Sequence, residues 1–234
     1  MKKLLRLIKW DFTLILKYGI VTVASVIALI YCAAILLLDT DGSDKLISVL
    51  IFSDPVMYGF LFTAAIVLFE KDANIHQALA VSPLSVSQYL WSKTIVFTTV
   101  ALVYSSAIVL AFQPGYFNPF PFITGVVLSS TMFVFIGMVG VSYVKNFNQF
   151  ILLMPIVLAP ACLPFLGFFS VYESPLFYIV PTQACLLLFE ASFAPVEPWE
   201  MAYALIYIAV SNIILYKLAL RHYERRILKI SRNE

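Results

Sequence analysis

Long apolar runs separated by short polar joints set the pattern of this chain. Runs of roughly 20 apolar residues match the length an α-helix needs to cross a bilayer. Six such runs are read: Gly19 to Leu38, Ile47 to Phe69, Thr94 to Phe112, Pro121 to Tyr143, Phe150 to Tyr172 and Trp199 to Leu218. Lipid offers no partner to backbone N–H and C=O groups, so each run is expected to be a helix. The expected fold is all-α and integral to a membrane, one transmembrane domain over residues 1–234. No loop or tail is long enough to hold a separate core, and no internal repeat is visible.

Three segments depart from that rhythm. In residues 1–18, Lys2, Arg6, Lys9, Thr13 and Lys17 recur at helical spacing, and Leu4, Leu5, Ile8, Phe12 and Ile15 cover the other face. This predicts an amphipathic helix lying on the membrane surface; the alternative is a charged flank that only fixes orientation. Residues 174–198, SPLFYIVPTQACLLLFEASFAPVEP, are apolar but broken by Pro181 into halves too short to span. They read as short re-entrant helices on the outer side. A further pair of spans would instead place Glu190 and Glu197 in lipid.

The third departure is FEKDANIHQALAVSPLSVSQYLWSK, residues 69–93. Glu70 and Asp72 read as the acidic first turn of a helix. Ser82-Pro83 offers a second helix start, and Ser85 with Gln88 has capping-box spacing one turn later. The expectation is two short helices at an angle, the second presenting Val86, Leu90 and Trp91 before the third span. Such a knuckle could bear force from a soluble partner; the alternative is a hairpin floating among headgroups.

Composition agrees with the pattern: 62% of residues are hydrophobic and 12% charged, with mean hydropathy +0.95, against about 45–50% and about 25% in soluble domains. A net charge of +2 makes no case for nucleic acid. Placement says more than the sum. Of 15 basic residues, all but Lys45 fall before the first run, in the 69–93 segment, at Lys145, or at the end of the last run and in the tail, 219–234. By the positive-inside rule that side is cytoplasmic, with both termini on it, in a plasma membrane. The opposite side carries Asp39, Asp41, Asp44, Glu173, Glu190, Glu197 and Glu200. No secretory signal peptide is read in MKKLLRLIKWDFTLILK, which has no small-residue cleavage site.

Familiar chemistry is missing. No GxxxxGK[ST], HExxH or GxSxG occurs. Cys32, Cys162 and Cys185 are odd in number and lack CxxC spacing, so neither a disulfide framework nor a metal site is supported. His76 and His222 lie far apart in polar settings. Asp54 is the one candidate ionisable group within a span, and Ser53-Asp54-Pro55 reads as a helix cap or kink rather than an ion site. Pro155, Pro160 and Pro164 crowd one span; they form either a hinge or a static bend. No catalytic residues, cofactor or metal ligands are expected in this chain.

The 69–93 segment resembles the first cytoplasmic connection of ABC-2 type transporter permeases. An acidic residue ends span two (Glu70), an sPL follows (Ser82-Pro83-Leu84), and a YLxxK leads into span three (Tyr89 to Lys93). RLIKWDFTLILKYGI further resembles permeases known as fluoroquinolone exporters. The resemblance implies a half-transporter: a second permease subunit beside it, as homodimer or heterodimer, and a separate ATP-binding subunit that carries ATP and Mg. Segment 69–93 would then be a coupling helix, with Glu70, Asn74, His76, Gln77, Ser82, Pro83 and Leu84 near the ATPase, and Lys145 and Phe147 in a smaller second contact. Spans two and five would line the path of a small amphipathic compound, which makes Met57, Phe60, Phe62, Met154 and Leu158 candidates. A rival class is a non-transporting immunity or sensor protein that binds a ligand at its acidic face.

Overall fold

The structure is a computed structural model that describes residues 2–38, 44–75, 84–112 and 116–228. Every described element is helical. Helix α1, Lys2–Lys17, ends at Gly19, whose φ of 71° is the left-handed conformation that residues with a Cβ avoid. Helix α2, Ile20–Leu38, leaves there at 64° to α1.

The next rod joins α3, Asp44–Asp54, to α4, Thr63–Asp72, through a wider-wound stretch, Pro55–Phe62. Pro55 has no N–H to give the Ile51 carbonyl, so the turn loosens to i→i+5 bonding. Helix α5, Val86–Phe112, starts on a reciprocal cap: the Gln88 N–H donates to Ser85 Oγ and the Ser85 N–H to Gln88 Oε1, each at 3.2 Å. Helix α6, Pro119–Val141, begins at Asn118, whose Oδ1 accepts from the Phe120 N–H. Helix α7, Phe147–Ala161, begins at Asn146, which accepts from the Gln149 N–H at 3.0 Å. After it come α8, Pro164–Phe168, a 3₁₀ turn, Pro175–Ile179, and α9, Pro181–Phe193. Glu197 and Glu200 form a capping box at the head of α10, Pro198–His222, which runs on into a looser coil, Tyr223–Leu228.

Among the described residues, four helices are long and apolar enough to cross a membrane: Ile47–Asp72, Val86–Ala111, Pro119–Val141 and Pro198–Arg225. A fifth is counted if the bent pair α1 and α2 is taken as one. The span expected from Phe150 to Tyr172, with its prolines read as a hinge or a static bend, is broken and not one rod. The carbonyls of Ile151 and Ile156 lose their N–H partners to Pro155 and Pro160, and the chain breaks between Ala161 and Pro164. The Thr182 hydroxyl donates to the Ala161 carbonyl at the break. Helix α9 has only 13 residues, and most of its side chains are buried against α3, α6 and α10.

Helix α6 is the centre of the packing, touching the wide stretch, α5, α9 and α10. Two glycines let it approach the wide stretch closely. A Cβ on Gly137 would stand 2.8 Å from the Phe60 carbonyl oxygen, and one on Gly59 2.8 Å from Phe133 Cβ. Asn212 of α10 donates to the Leu128 carbonyl of α6 at 3.0 Å. The Phe52 ring meets Phe133, Phe165 and Phe189 edge-on and closes the core at the acidic end.

Candidate functional site

At the basic end the bundle encloses a charge cluster. Lys93, one turn into the buried part of α5, is fully shielded from solvent. Its ammonium donates to Asp11 Oδ1 at 2.7 Å and also pairs with the Glu70 carboxylate. Ser92 donates to the second oxygen of Asp11, and the Tyr89 hydroxyl to the second oxygen of Glu70. Tyr223 closes the site with its ring 4.9 Å from that of Tyr89. Helix α1, the end of α4, the start of α5 and the C-terminal coil are thereby tied at one point. A buried ion pair is stable only when its lone pairs and protons are met in this way.

The ends of the two polar connections at this face are also joined. The Lys71 ammonium donates to the Val144 carbonyl at 3.2 Å, and the Phe69 ring lies 5.0 Å from Tyr18 and 6.3 Å from Phe147. Asn74 is exposed and left-handed, at φ 56°, where the connection turns away from α4. Leu84 is half-buried ahead of α5. Lys145 is exposed, its N–H held by Gln149 Oε1 at 2.8 Å, and Phe147 is half-buried. His76, Gln77, Ser82 and Pro83 lie outside the described residues.

Several expectations for this segment need correction. Glu70 and Asp72 close a helix instead of opening one, because the apolar run of α4 continues through them. Glu70 faces inward to Lys93, so its carboxylate is not offered at the surface. The second short helix is not separate: the turn carrying Val86, Leu90 and Trp91 is the start of the continuous α5. Leu90 is buried, and Trp91 lies beside Tyr216 and Phe135.

Midway along the bundle, Asp54 is buried and accepts from Ser105 Oγ at 2.9 Å. It caps nothing: its own backbone is helical and its side chain makes no capping bond. The Asp-Pro pair marks the change to wide winding inside a rod. Nearby, Ser25 bonds Tyr104 at 2.7 Å and Ser53 bonds Tyr31 at 2.9 Å, so a polar seam joins α2, α3 and α5.

Of the candidate path residues, Met57 and Leu158 line the same apolar hollow of about 200 Å³, with Phe52, Val56, Phe133 and Phe165. Phe60 and Phe62 turn into the core, Phe60 against Phe150 and Phe62 against Tyr58. Met154 is half-buried one turn along α7 from Leu158, outside the hollow's lining. Pro155 and Pro160 sit inside α7 and Pro164 heads α8, so all three flank the break.

A larger hollow, about 680 Å³, opens at the acidic end between α8, the 3₁₀ turn, α9 and the head of α10. Glu173, Glu190, Glu200, Lys45, Gln183, Ser170 and Ser174 supply its polar lining, and Phe168, Phe177 and Tyr178 its aromatic lining. Lys45 donates to the Phe168 carbonyl at 2.9 Å with its ammonium over the Phe168 ring. Burial pushes the Glu190 carboxyl above its ordinary range; Lys45 opposes that and Glu200 adds to it.

The profile of the fluoroquinolones export permease protein family matches residues 2–231. The chain belongs to that family. Two curated relatives, a fluoroquinolones export permease protein of Mycobacterium tuberculosis strain CDC 1551 / Oshkosh and one of strain H37Rv, are each 25% identical over 213 residues. Those alignments cover 88% of this chain and 89% of each relative. No solved structure matches the chain. As a member of this export permease family the protein is a multi-pass membrane protein, and its match runs through both the buried cluster and the two hollows.

Asp11 and Lys93 were not singled out from the sequence as a pair. The available signals were Asp11 as the lone acid in the otherwise basic α1 and Lys93 as the basic end of the YLxxK motif. Nothing in local spacing joined them, because they are 82 residues apart.

Proposed function

We propose that the chain is the membrane-spanning subunit of an ATP-driven ABC-2 exporter that moves a small amphipathic compound out of the cell. The observation that carries this reading beyond family membership is the Asp11–Lys93–Glu70 cluster. It anchors both ends of the 69–93 connection to the bundle, Glu70 at one end and Lys93 at the other. A connection that receives force from a soluble ATPase needs such a base, since a floppy one would absorb the stroke. In this reading Glu70 is a positioning residue beneath the contact. Asn74, His76, Gln77, Ser82, Pro83, Leu84, Lys145 and Phe147 stand nearer the partner.

Six crossings follow if α2, the α3–α4 rod, α5, α6, α7 with α8, and α10 each traverse the bilayer, with α1 on the cytoplasmic surface. The placement of basic residues puts both termini in the cytoplasm. ATP and Mg belong to the partner chain, and a second permease subunit completes the path. The apolar hollow beside Met57 and Leu158 suits the greasy part of a flat compound, and the drug class in the relatives' names is the first one to try.

The test is purification of the tagged chain from its own host in mild detergent. A stoichiometric protein with a phosphate-binding loop is expected, and His76→Glu with Gln77→Glu should release it while the permease stays folded. Recovery of the chain without any ATPase, with or without crosslinker, would refute the coupling assignment.

A further inference from the structure

We propose that the hollow at the acidic end is a binding site for an organic ammonium with an apolar or aromatic body. Its volume, about 680 Å³, lies within the roughly 300–1,000 Å³ of small-molecule sites. The decisive feature is a surplus of acceptors. Among the described residues no donor reaches the side chains of Glu173 or Glu190, and Gln183 Oε1 is shielded from solvent with no hydrogen bond.

The two strongest donors in the wall are already engaged. The Lys45 ammonium is held by the Phe168 carbonyl, and the Tyr178 hydroxyl points to Glu200 at 3.5 Å. Three carboxyl groups stand against one ammonium in the lining. A ligand that brings N–H donors and positive charge supplies what the wall lacks. Phe168, Phe177 and Tyr178 add ring faces that attract a cation and pack a flat body. An anion meets the opposite conditions there. The inference deepens the export reading, because basic-residue placement makes this mouth the outer one and hence a station on the way out.

Trp199 is a built-in reporter, its ring stacked 6.0 Å from that of Tyr178. In the full chain reconstituted in nanodiscs, with Trp10→Phe and Trp91→Phe, 4-phenylbutylamine should quench Trp199 saturably. 5-Phenylpentanoate, similar in size and opposite in charge, should not. Glu190→Gln and Glu200→Gln should each weaken amine binding about tenfold, the worth of one charged hydrogen bond. Lys45→Met should tighten it, a direction that damage to the fold does not produce. Equal binding of amine and acid, or amine binding unchanged in the Glu190→Gln, Glu200→Gln double variant, would overturn the assignment. Loss of the ATPase in the purification test leaves this binding result untouched, so the two readings fail separately.

Discussion

Replacing Lys93 by methionine would leave Asp11 and Glu70 facing each other in a site that water does not reach. Removing one partner of a buried pair costs about 3–5 kcal/mol, because the uncompensated charge keeps its desolvation penalty. The variant should therefore melt well below the parent in detergent. Adding Asp11→Asn and Glu70→Gln removes the stranded charges and should restore much of the loss, since neutral replacement of a whole buried ionic group is far less costly than breaking it. Thermal unfolding of the single and triple variants checks both halves; a triple variant no better than the single would show that packing around the Lys93 stem, not charge, holds the site. Should the triple variant regain stability yet fail to retain the proposed ATPase partner on purification, the cluster's role is to position the 69–93 connection.

At the scale of elements, the close crossing of α6 and the wide stretch rests on glycine. Gly137→Ala would drive a methyl into the backbone oxygen of Phe60, so the helices must separate. Gly125→Ala meets only side-chain carbons at 3.3 Å, the Leu188 Cβ and the rim of the Phe189 ring, which have some room to give. Overpacking costs about 1–3 kcal/mol, and Gly137→Ala should lie at the upper end, Gly125→Ala near zero; their melting temperatures decide it. Element-level reading of the sequence succeeded where a signal is local. Four of the six apolar runs became the long helices, Ser85 with Gln88 became the cap of α5, and Pro181 opens α9. It failed where tertiary context overrode local chemistry. Asp54-Pro55 has the form of a helix start but lies within a rod whose apolar residues run through it. Glu70 and Asp72 suit a first turn, yet they end α4, where Lys93, from the next helix, pairs with Glu70. The acidic-end hollow gathers residues from four separate segments, which no periodicity foretells; only the clustering of acids on one side hinted at it.

For the whole molecule, the question is what lies against α7. Leu152 and Ile156 are 76% and 71% exposed, as lipid-facing residues would be. Two features favour a second copy of the chain over lipid. Pro155 and Pro160 strip the N–H partners from the carbonyls of Ile151 and Ile156, and bare carbonyls are poorly tolerated against hydrocarbon but acceptable against protein or a wet path. The apolar hollow of Met57 and Leu158 also borders this helix, which lines it with Leu158 and Ala161, and it is not fully enclosed. Two chains meeting along α7 would cover the carbonyls and turn two half-hollows into one path. With Cys32, Cys162 and Cys185 replaced by alanine, Leu152→Cys and Ile156→Cys should each give a disulfide-linked dimer in native membranes under mild oxidation. Leu110→Cys, equally exposed at 75% but on α5, is the control and should stay monomeric. Equal crosslinking at all three positions would mean random encounter in the bilayer, and the hollow beside Met57 would then be a lipid-facing groove with no part in a shared path.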